Sequence, residues 1–288
     1  MSEKASFHQL AVIGAGTMGI GIAEFFARAG YSVQVYEKKA EVFEQSYQTM
    51  THRLKRQVEK GKLKAEVCQE ILNRIYPVST LEDLATSDLI VEAIVEQLKV
   101  KQELFSQLDQ IISPQTILAT NTSSLSITAI AAETVHPERV VGLHFFNPAP
   151  IMPLVEVVVG AETNPTVVET CIDWMRKIGK SPVRVSDSPG FLVNRVARPF
   201  HLEAYRLVGE GTATKEQVDR IIRAAGFKMG PFQLQDLIGI DINYAASLSV
   251  YEGYFHESRF RPHYLQKSLV DQGALGRKTG KGHFDYDS

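Results

Sequence analysis

The sequence predicts an α/β fold in which a doubly wound, mostly parallel sheet with an inserted pair of helices fills residues 1–186. An all-α domain is expected to follow over 187–288. Three observations carry this. A short apolar run near the N-terminus leads into a glycine loop, an amphipathic helix and a second strand, the order of a βαβ unit. A strongly charged stretch with helical spacing interrupts the strand pattern between residues 41 and 75. From Asp187 onward strands give way to segments of helical period.

The first run, Leu10-Ala11-Val12-Ile13, suits a buried strand, and Gly14-Ala15-Gly16-Thr17-Met18-Gly19 opens an amphipathic segment reaching Arg28. This is a GxGxxG loop in the context that gives it meaning, a Rossmann-type dinucleotide fingerprint. Gly14 permits the tight turn, Gly16 lets the backbone approach a pyrophosphate, and Gly19 lets the helix pack closely on the strand, with helix N-terminal amides facing the phosphates. Gly30 ends that helix. The run Tyr31–Tyr36 alternates as a strand and stops at Glu37, where a carboxylate can accept bonds from both ribose hydroxyls. Glu37 therefore argues for NAD over NADP, although Lys38 and Lys39 beside it soften the discrimination.

Residues 41–75 read as two amphipathic helices broken near Gly61. Their basic cluster, Arg53, Lys55, Arg56, Lys60, Lys62 and Lys64, is either a solvated face or a holder of a phosphorylated substrate. Asp88–Ile94 and Thr116–Thr120 read as further strands. Ligands in such sheets sit beyond the carboxyl ends of the strands. Glu96 lies past one such end and Asn121-Thr122-Ser123-Ser124 past the other, whereas Glu92 lies within its strand. Asp187-Ser188-Pro189-Gly190 is turn chemistry. Helical period then runs from Phe191, with a break or kink expected at Pro199, and Thr214-Lys215-Glu216-Gln217 fits a capping box.

The 288 residues carry a net charge of −2, with 44% apolar and 22% charged side chains, the make-up of an ordinary globular protein. No nucleic-acid or membrane partner is implied, and no run is long enough to span a bilayer. Leu10–Ala27 contains three fingerprint glycines and Glu24, so it does not read as a signal peptide. Two cysteines, Cys68 and Cys171, lie far apart and point to a reducing, cytoplasmic compartment. No metal-ligand pattern is present. Apolar segments over 234–242 and 243–254 exceed what one small helical layer buries, which suggests subunit association.

Residues 142–156 hold the chemistry expected at the centre. An apolar run delivers His144 into a proline-rich loop, and Glu156 follows on the next apolar run. A neutral imidazole takes up a proton near neutral pH, and a carboxylate on its other nitrogen would fix the tautomer and stabilise the imidazolium. Sequence spacing does not by itself make that contact. Asn194, one helical turn past Gly190, is either a candidate for the same cleft or a buried asparagine bonded to backbone.

With these motifs in hand, GAGTMG at Gly14, VEAIVE at Val91, NTSSLSIT at Asn121, LHFFNPAPIM at Leu143, LVEV at Leu154, SPGFLVNR at Ser188, MGPF at Met229 and GRKTGKG at Gly276, the chain resembles the short-chain L-3-hydroxyacyl-CoA dehydrogenase family. The resemblance is to the bacterial 3-hydroxybutyryl-CoA dehydrogenases in particular, over essentially the full length. The resemblance implies an NAD-binding domain followed by a helical dimerisation domain, an acyl-CoA substrate, and His144 with Glu156 as the catalytic dyad. It implies that Ser123 and Asn194 hold the substrate oxygen and that Asn147 and Ser123 line the nicotinamide end. Glu96, Lys101 and Lys278 match cofactor-contacting positions, with Gly14, Gly16, Thr17, Met18, Gly19 and Glu37 in the dinucleotide loop and its acid. Lys60 matches a CoA-contacting position, and Arg53 stands where the family has a small CoA-contacting residue. Pro153, Gln233 and His283 depart from the family pattern, which leaves a short or a carboxylated acyl group open, as in 3-hydroxybutyryl-CoA or 3-hydroxyadipyl-CoA. A dehydrogenase of small hydroxy acids without CoA, and a non-catalytic NAD(H)-binding protein, remain as alternatives.

Overall fold

In a computed structural model that describes residues 7–286, the chain divides into two compact units after Asp187. The first unit runs β1 (Gln9–Ile13), α1 (Thr17–Arg28), β2 (Ser32–Tyr36), α2 (Ala40–Glu59), α3 (Ala65–Asn73), β3 (Ile75–Val78), β4 (Leu89–Glu92), α4 (Leu98–Ile111), β5 (Ile117–Thr120), α5 (Ile127–Ala131), β6 (Val140–Phe145), β7 (Leu154–Val159), α6 (Pro165–Lys177) and β8 (Ser181–Ser186). The eight strands form one sheet in the order β3-β2-β1-β4-β5-β6-β7-β8. β1 to β6 are parallel, β7 turns back antiparallel on β6, and β8 lies parallel to β7. Helices on both faces explain why the central strands are buried at every position rather than alternately. The strand order reverses between β1 and β4, and the dinucleotide loop follows β1 at that point.

The expected helical pair is present. α2 ends at Glu59, Gly61 adopts a positive φ of 66°, and α3 begins at Ala65. Phe43, Met50 and Leu54 of α2 and Cys68, Ile71 and Leu72 of α3 join the core cluster of β1, β2 and α1, leaving the basic side chains on the outer face. At the other edge Trp174 of α6 packs on Phe7 and Phe26.

The second unit is helical: α7 (Val193–Gly209), α8 (Lys215–Ala224), α9 (Pro231–Ile238), α10 (Ile240–Gly253) and α11 (Tyr264–Asp271). α7 runs through Pro199 instead of breaking there. Arg198, His201, Leu202 and Tyr205 fall on one face at helical spacing and are all buried, so burial from Arg198 onward offsets the lost backbone bond. The capping box forms at Thr214: its hydroxyl accepts from Gln217 N, and the Gln217 side chain accepts from Thr214 N. Asp236 ties the C-terminal turn down, accepting from the amides of His283 and Phe284 and from the Tyr286 hydroxyl.

Two imidazoles are sealed into this unit. Burial, reinforced by the Arg198 charge, lowers the pKa of His201 from 6.5 to about 3, and burial with Lys215 nearby does the same to His283. His283 exchanges a hydrogen bond with the Tyr205 hydroxyl at 2.8 Å. Because the unfolded chain protonates these rings at higher pH than the folded one, their contribution is intact above pH 6.5. It is lost as pH falls toward 3, at up to about 1.4 kcal/mol per pH unit for each ring. Urea midpoints between pH 7 and pH 4.5 should therefore fall steeply, and His283→Phe should reduce the slope by about one proton. An unaltered slope in that variant would remove His283 from the account.

Candidate active site

β1 delivers the chain into Gly14, whose positive φ of 97° and close approach to Ala93 (2.7 Å from its carbonyl oxygen to where a Cβ would stand) admit only glycine comfortably. Gly19 is tighter still: a Cβ there would stand 1.8 Å from the Gly14 carbonyl oxygen. Gly16 is the opposite case, with no atom within 4 Å of its Cβ position, so a ligand can approach the backbone there. Gly16 also caps α1, and no side chain bonds to the helix's first amides from that position. Glu37, just past β2, accepts from Ala15 N at 2.8 Å and from Lys39 N at 3.1 Å, which sets an acid beside the loop. An open cradle of amides and an adjacent carboxylate suit the pyrophosphate and ribose of a dinucleotide.

Beyond β4 and β5 a charged network organises the polar loop. Glu92 is fully buried; one carboxylate oxygen accepts from Ile94 N and the Lys101 ammonium at 2.7 and 2.5 Å, the other from the Thr120 hydroxyl at 2.7 Å. Lys101, on α4 and only 1% exposed, also lies 3.3 Å from Glu96. Glu96 in turn accepts from the Thr122 hydroxyl (2.5 Å), Ser123 N (3.0 Å) and the Ser124 hydroxyl (3.3 Å). Burial by itself would raise the Glu96 carboxyl, but Lys101 and the bonds from Thr122 and Ser123 outweigh it and hold it below the usual carboxylate range. Asn121 fastens the same loop to β6 by accepting from Phe145 N at 2.9 Å.

His144 and Glu156 stand directly opposite each other in the antiparallel β6–β7 ladder. Cross-strand neighbours on one face are close enough to touch. His144 Nδ1 lies 2.6 Å from a Glu156 carboxylate oxygen, with the histidine 6% exposed and the glutamate fully buried. The Phe146 ring packs against the imidazole at 4.4 Å between centroids. A buried carboxylate on Nδ1 fixes the tautomer that carries its lone pair on Nε2.

The loop after β1, the loops after β4 and β5 and the end of β6 together enclose a cavity of about 450 Å³, lined by Gly16, Met18, Glu96, Ser123, His144 and Asn147 among others. Thr17 and Lys101 reach the same cavity. Of the expected residues in the first unit, Gly14, Gly19, Glu37 and Glu156 adjoin this lining without being part of it, and Arg53 and Lys60 are not in it. Asn194 is in the first turn of α7, and Lys278 pairs with both oxygens of Asp241 at 2.7 Å; both belong to the second unit. Arg53 is turned onto the buried Glu24 as an ion pair, and Lys60 caps the exposed C-terminal end of α2. Sequence reading missed the Glu92–Lys101 pair. Its only trace was an acid inside an otherwise apolar strand.

Two family profiles cover nearly the whole chain: the NAD-binding domain of 3-hydroxyacyl-CoA dehydrogenase over residues 9–188, and the C-terminal domain of the same enzyme over 190–286. The chain belongs to the 3-hydroxyacyl-CoA dehydrogenase family. It is 50% identical to the 3-hydroxyadipyl-CoA dehydrogenase of Escherichia coli, over 96% of this chain and 58% of that protein. It is 41% identical to the 3-hydroxybutyryl-CoA dehydrogenase of Clostridioides difficile, over 97% of this chain and 99% of that one. A crystal structure of a 3-hydroxybutyryl-CoA dehydrogenase from E. coli superposes with a TM-score of 0.95 at 49% identity, covering 99% of this chain and 60% of that one. The chain thus spans less than two thirds of the length of both E. coli relatives. Among the described residues no helix is long and apolar enough to cross a membrane, and no cluster of potential metal ligands occurs.

Replacing Gly19 by Ala should weaken NADH binding at least about tenfold, because a Cβ there must displace the loop's own backbone. Nicotinamide fluorescence titration checks it, and unchanged affinity would mean that the loop does not hold the dinucleotide.

Proposed function

We propose that this chain is an NAD-dependent L-3-hydroxyacyl-CoA dehydrogenase interconverting a 3-hydroxyacyl-CoA and the 3-oxoacyl-CoA. The observation that carries the reading is the 2.6 Å His144–Glu156 contact in a cavity shared with the dinucleotide loop. NAD, when bound, supplies the hydride acceptor at C4 of the nicotinamide. His144 takes the proton of the 3-hydroxyl on Nε2 as the C3 hydrogen leaves as hydride, and returns it in the reverse direction. Glu156 stabilises the imidazolium that results. Ser123 and Asn194 are assigned to the substrate oxygen, Ser123 and Asn147 to the nicotinamide end. Gly14, Gly16, Thr17, Met18 and Gly19 are assigned to the pyrophosphate, and Glu37 to the adenosine ribose, where a carboxylate disfavours a 2′-phosphate.

Lys101 is assigned to the cofactor side through Glu96. Lys60 is assigned to the CoA moiety, supported by its place in the basic cluster of the helical pair. Arg53 and Lys278 hold carboxylates of their own, so a contact with CoA or cofactor from either would require exchange of that partner. Because relatives carry both 3-hydroxybutyryl- and 3-hydroxyadipyl-CoA in their names, the acyl group is proposed as short-chain or carboxylated. Association as a homodimer through the second unit is supported by Leu237, Ile238 and Ile242 of α9 and α10, all exposed. Two buried free thiols suit a cytoplasmic setting.

The deciding experiment is NADH oxidation with acetoacetyl-CoA beside 3-oxoadipyl-CoA and free acetoacetate. Turnover that requires CoA supports the reading; turnover of the free oxo acid alone moves the enzyme to the hydroxy-acid class, and binding without turnover to a sensor. His144→Gln should lower kcat by roughly 10²-fold or more with NADH affinity kept; near-normal turnover would remove His144 from the acid–base role. Lys60→Ala should raise the KM for the CoA substrate more than it lowers kcat, the mark of lost uniform binding. An unchanged KM would make the basic cluster a solvated face.

A further inference from the structure

The loop that follows His144 is held by a lysine to which the mechanism above gives no part. Lys180 closes the turn between α6 and β8 and is only 7% exposed. Its ammonium donates to the carbonyl oxygens of Ala149 (2.5 Å) and Met152 (2.6 Å) and stands 4.0 Å over the centre of the Phe25 ring. Among the described residues it forms no ion pair, so a full charge is buried against two peptide dipoles and one aromatic face. Such an arrangement is expensive unless the geometry it enforces is needed.

What it enforces is a junction of three parts of the site. The segment 148–152 is folded as a turn, with Pro148 O accepting from Ile151 N and Met152 N, which directs the Ala149 and Met152 carbonyls to one ammonium. The same segment seats on α1, the helix that the dinucleotide loop opens. A Cβ at Gly21 would lie 3.6 Å from the Ala149 side chain, and Phe25, one turn on, meets both the ammonium and Phe145. Phe145, Phe146 and Asn147 line the cavity immediately before the anchored turn.

We propose that Lys180 is a positioning residue, whose ammonium fastens the loop after His144 to α1 and so fixes Asn147 and the end of β6 relative to the dinucleotide loop. The proposal rests on the dehydrogenase reading for its effect on turnover, but not for its effect on NADH binding. Burial lowers the Lys180 pKa from 10.5 to about 8, so the anchor loses its charge within an accessible range. The groups facing the ammonium are the Phe25 ring from α1 and the two carbonyls of the loop, none of which titrates there.

The test compares Lys180→Met, which keeps the length and removes the donors, with Lys180→Arg, which keeps a charge at all working pH values. NADH affinity is read by nicotinamide fluorescence between pH 7 and 9, and kcat and KM with acetoacetyl-CoA at pH 7. Lys180→Met should bind NADH at least about fivefold more weakly and lower kcat at least about tenfold, with the CoA-substrate KM changed less than about twofold. Its affinity should be flat over that pH range, whereas the wild-type affinity weakens through about pH 8. Lys180→Arg should recover most of the loss and remain flat.

Wild-type kcat and NADH affinity in Lys180→Met, or a wild-type pH profile in either variant, would overturn the proposal. Should Lys180→Met not fold, the wild-type and Lys180→Arg profiles decide it by themselves, since two flat profiles refute the anchor. Absence of turnover with every thioester in the wild type would sink the dehydrogenase reading and leave the NADH comparison standing.

Discussion

One reversal of chain direction organises the chemistry of this protein. Six parallel strands deliver loops to a single edge of the sheet, and β7 then turns back against β6. In a parallel ladder, residues twelve apart on successive strands of this length would be displaced along the sheet by a crossover. In the antiparallel one His144 and Glu156 meet face to face. The pair is buried, so the carboxylate acts on the imidazole with little screening, and the strands that carry both side chains are fixed by backbone bonds on either side. Rigid strands hold reacting groups to tighter tolerance than a loop pair would.

A second constraint is how the polar loops are kept in register with that pair. The Asn121–Ser124 segment has little apolar surface of its own. Its position comes from Glu96, which collects four donors from it, and from Lys101, which holds Glu96 against the buried Glu92. Two carboxylates sharing one buried ammonium are not an efficient source of stability, because desolvation offsets most of the attraction. Their value lies in direction: each oxygen has a fixed partner, and the loop can dock in one way. The ammonium of Lys180 likewise gathers the loop after β6, with the carbonyls of Ala149 and Met152 in place of carboxylates.

The extent to which all this was legible from residues alone differs by element. The glycine loop was readable in full, because the turn at Gly14, the open approach at Gly16 and the close packing at Gly19 follow from what a Cβ would meet at each. The helical pair and its break near Gly61 followed from apolar period and a glycine. Pro199 misled, since a proline interior to a helix reads as a break, whereas α7 continues through it with Arg198 and the following turns packed inward. Lys101 matched a family position and Glu92 stood out as an acid within its strand, yet nothing local paired the two, and Lys180 carried no local signal at all. A lysine after a glycine near a strand looks like solvated surface until the fold encloses it.

By itself, the sequence determined the fold class, the dinucleotide loop with its acid and the candidacy of His144 and Glu156, because these depend on period, glycine sterics and residue type over short spans. Only the tertiary structure decided that Glu156 lies on Nδ1 of His144, that Arg53 faces Glu24, and that Lys101 and Lys180 are buried anchors. Contacts between distant segments are set by strand direction and register, and those are cooperative outcomes of packing the whole sheet rather than properties of any one stretch of chain.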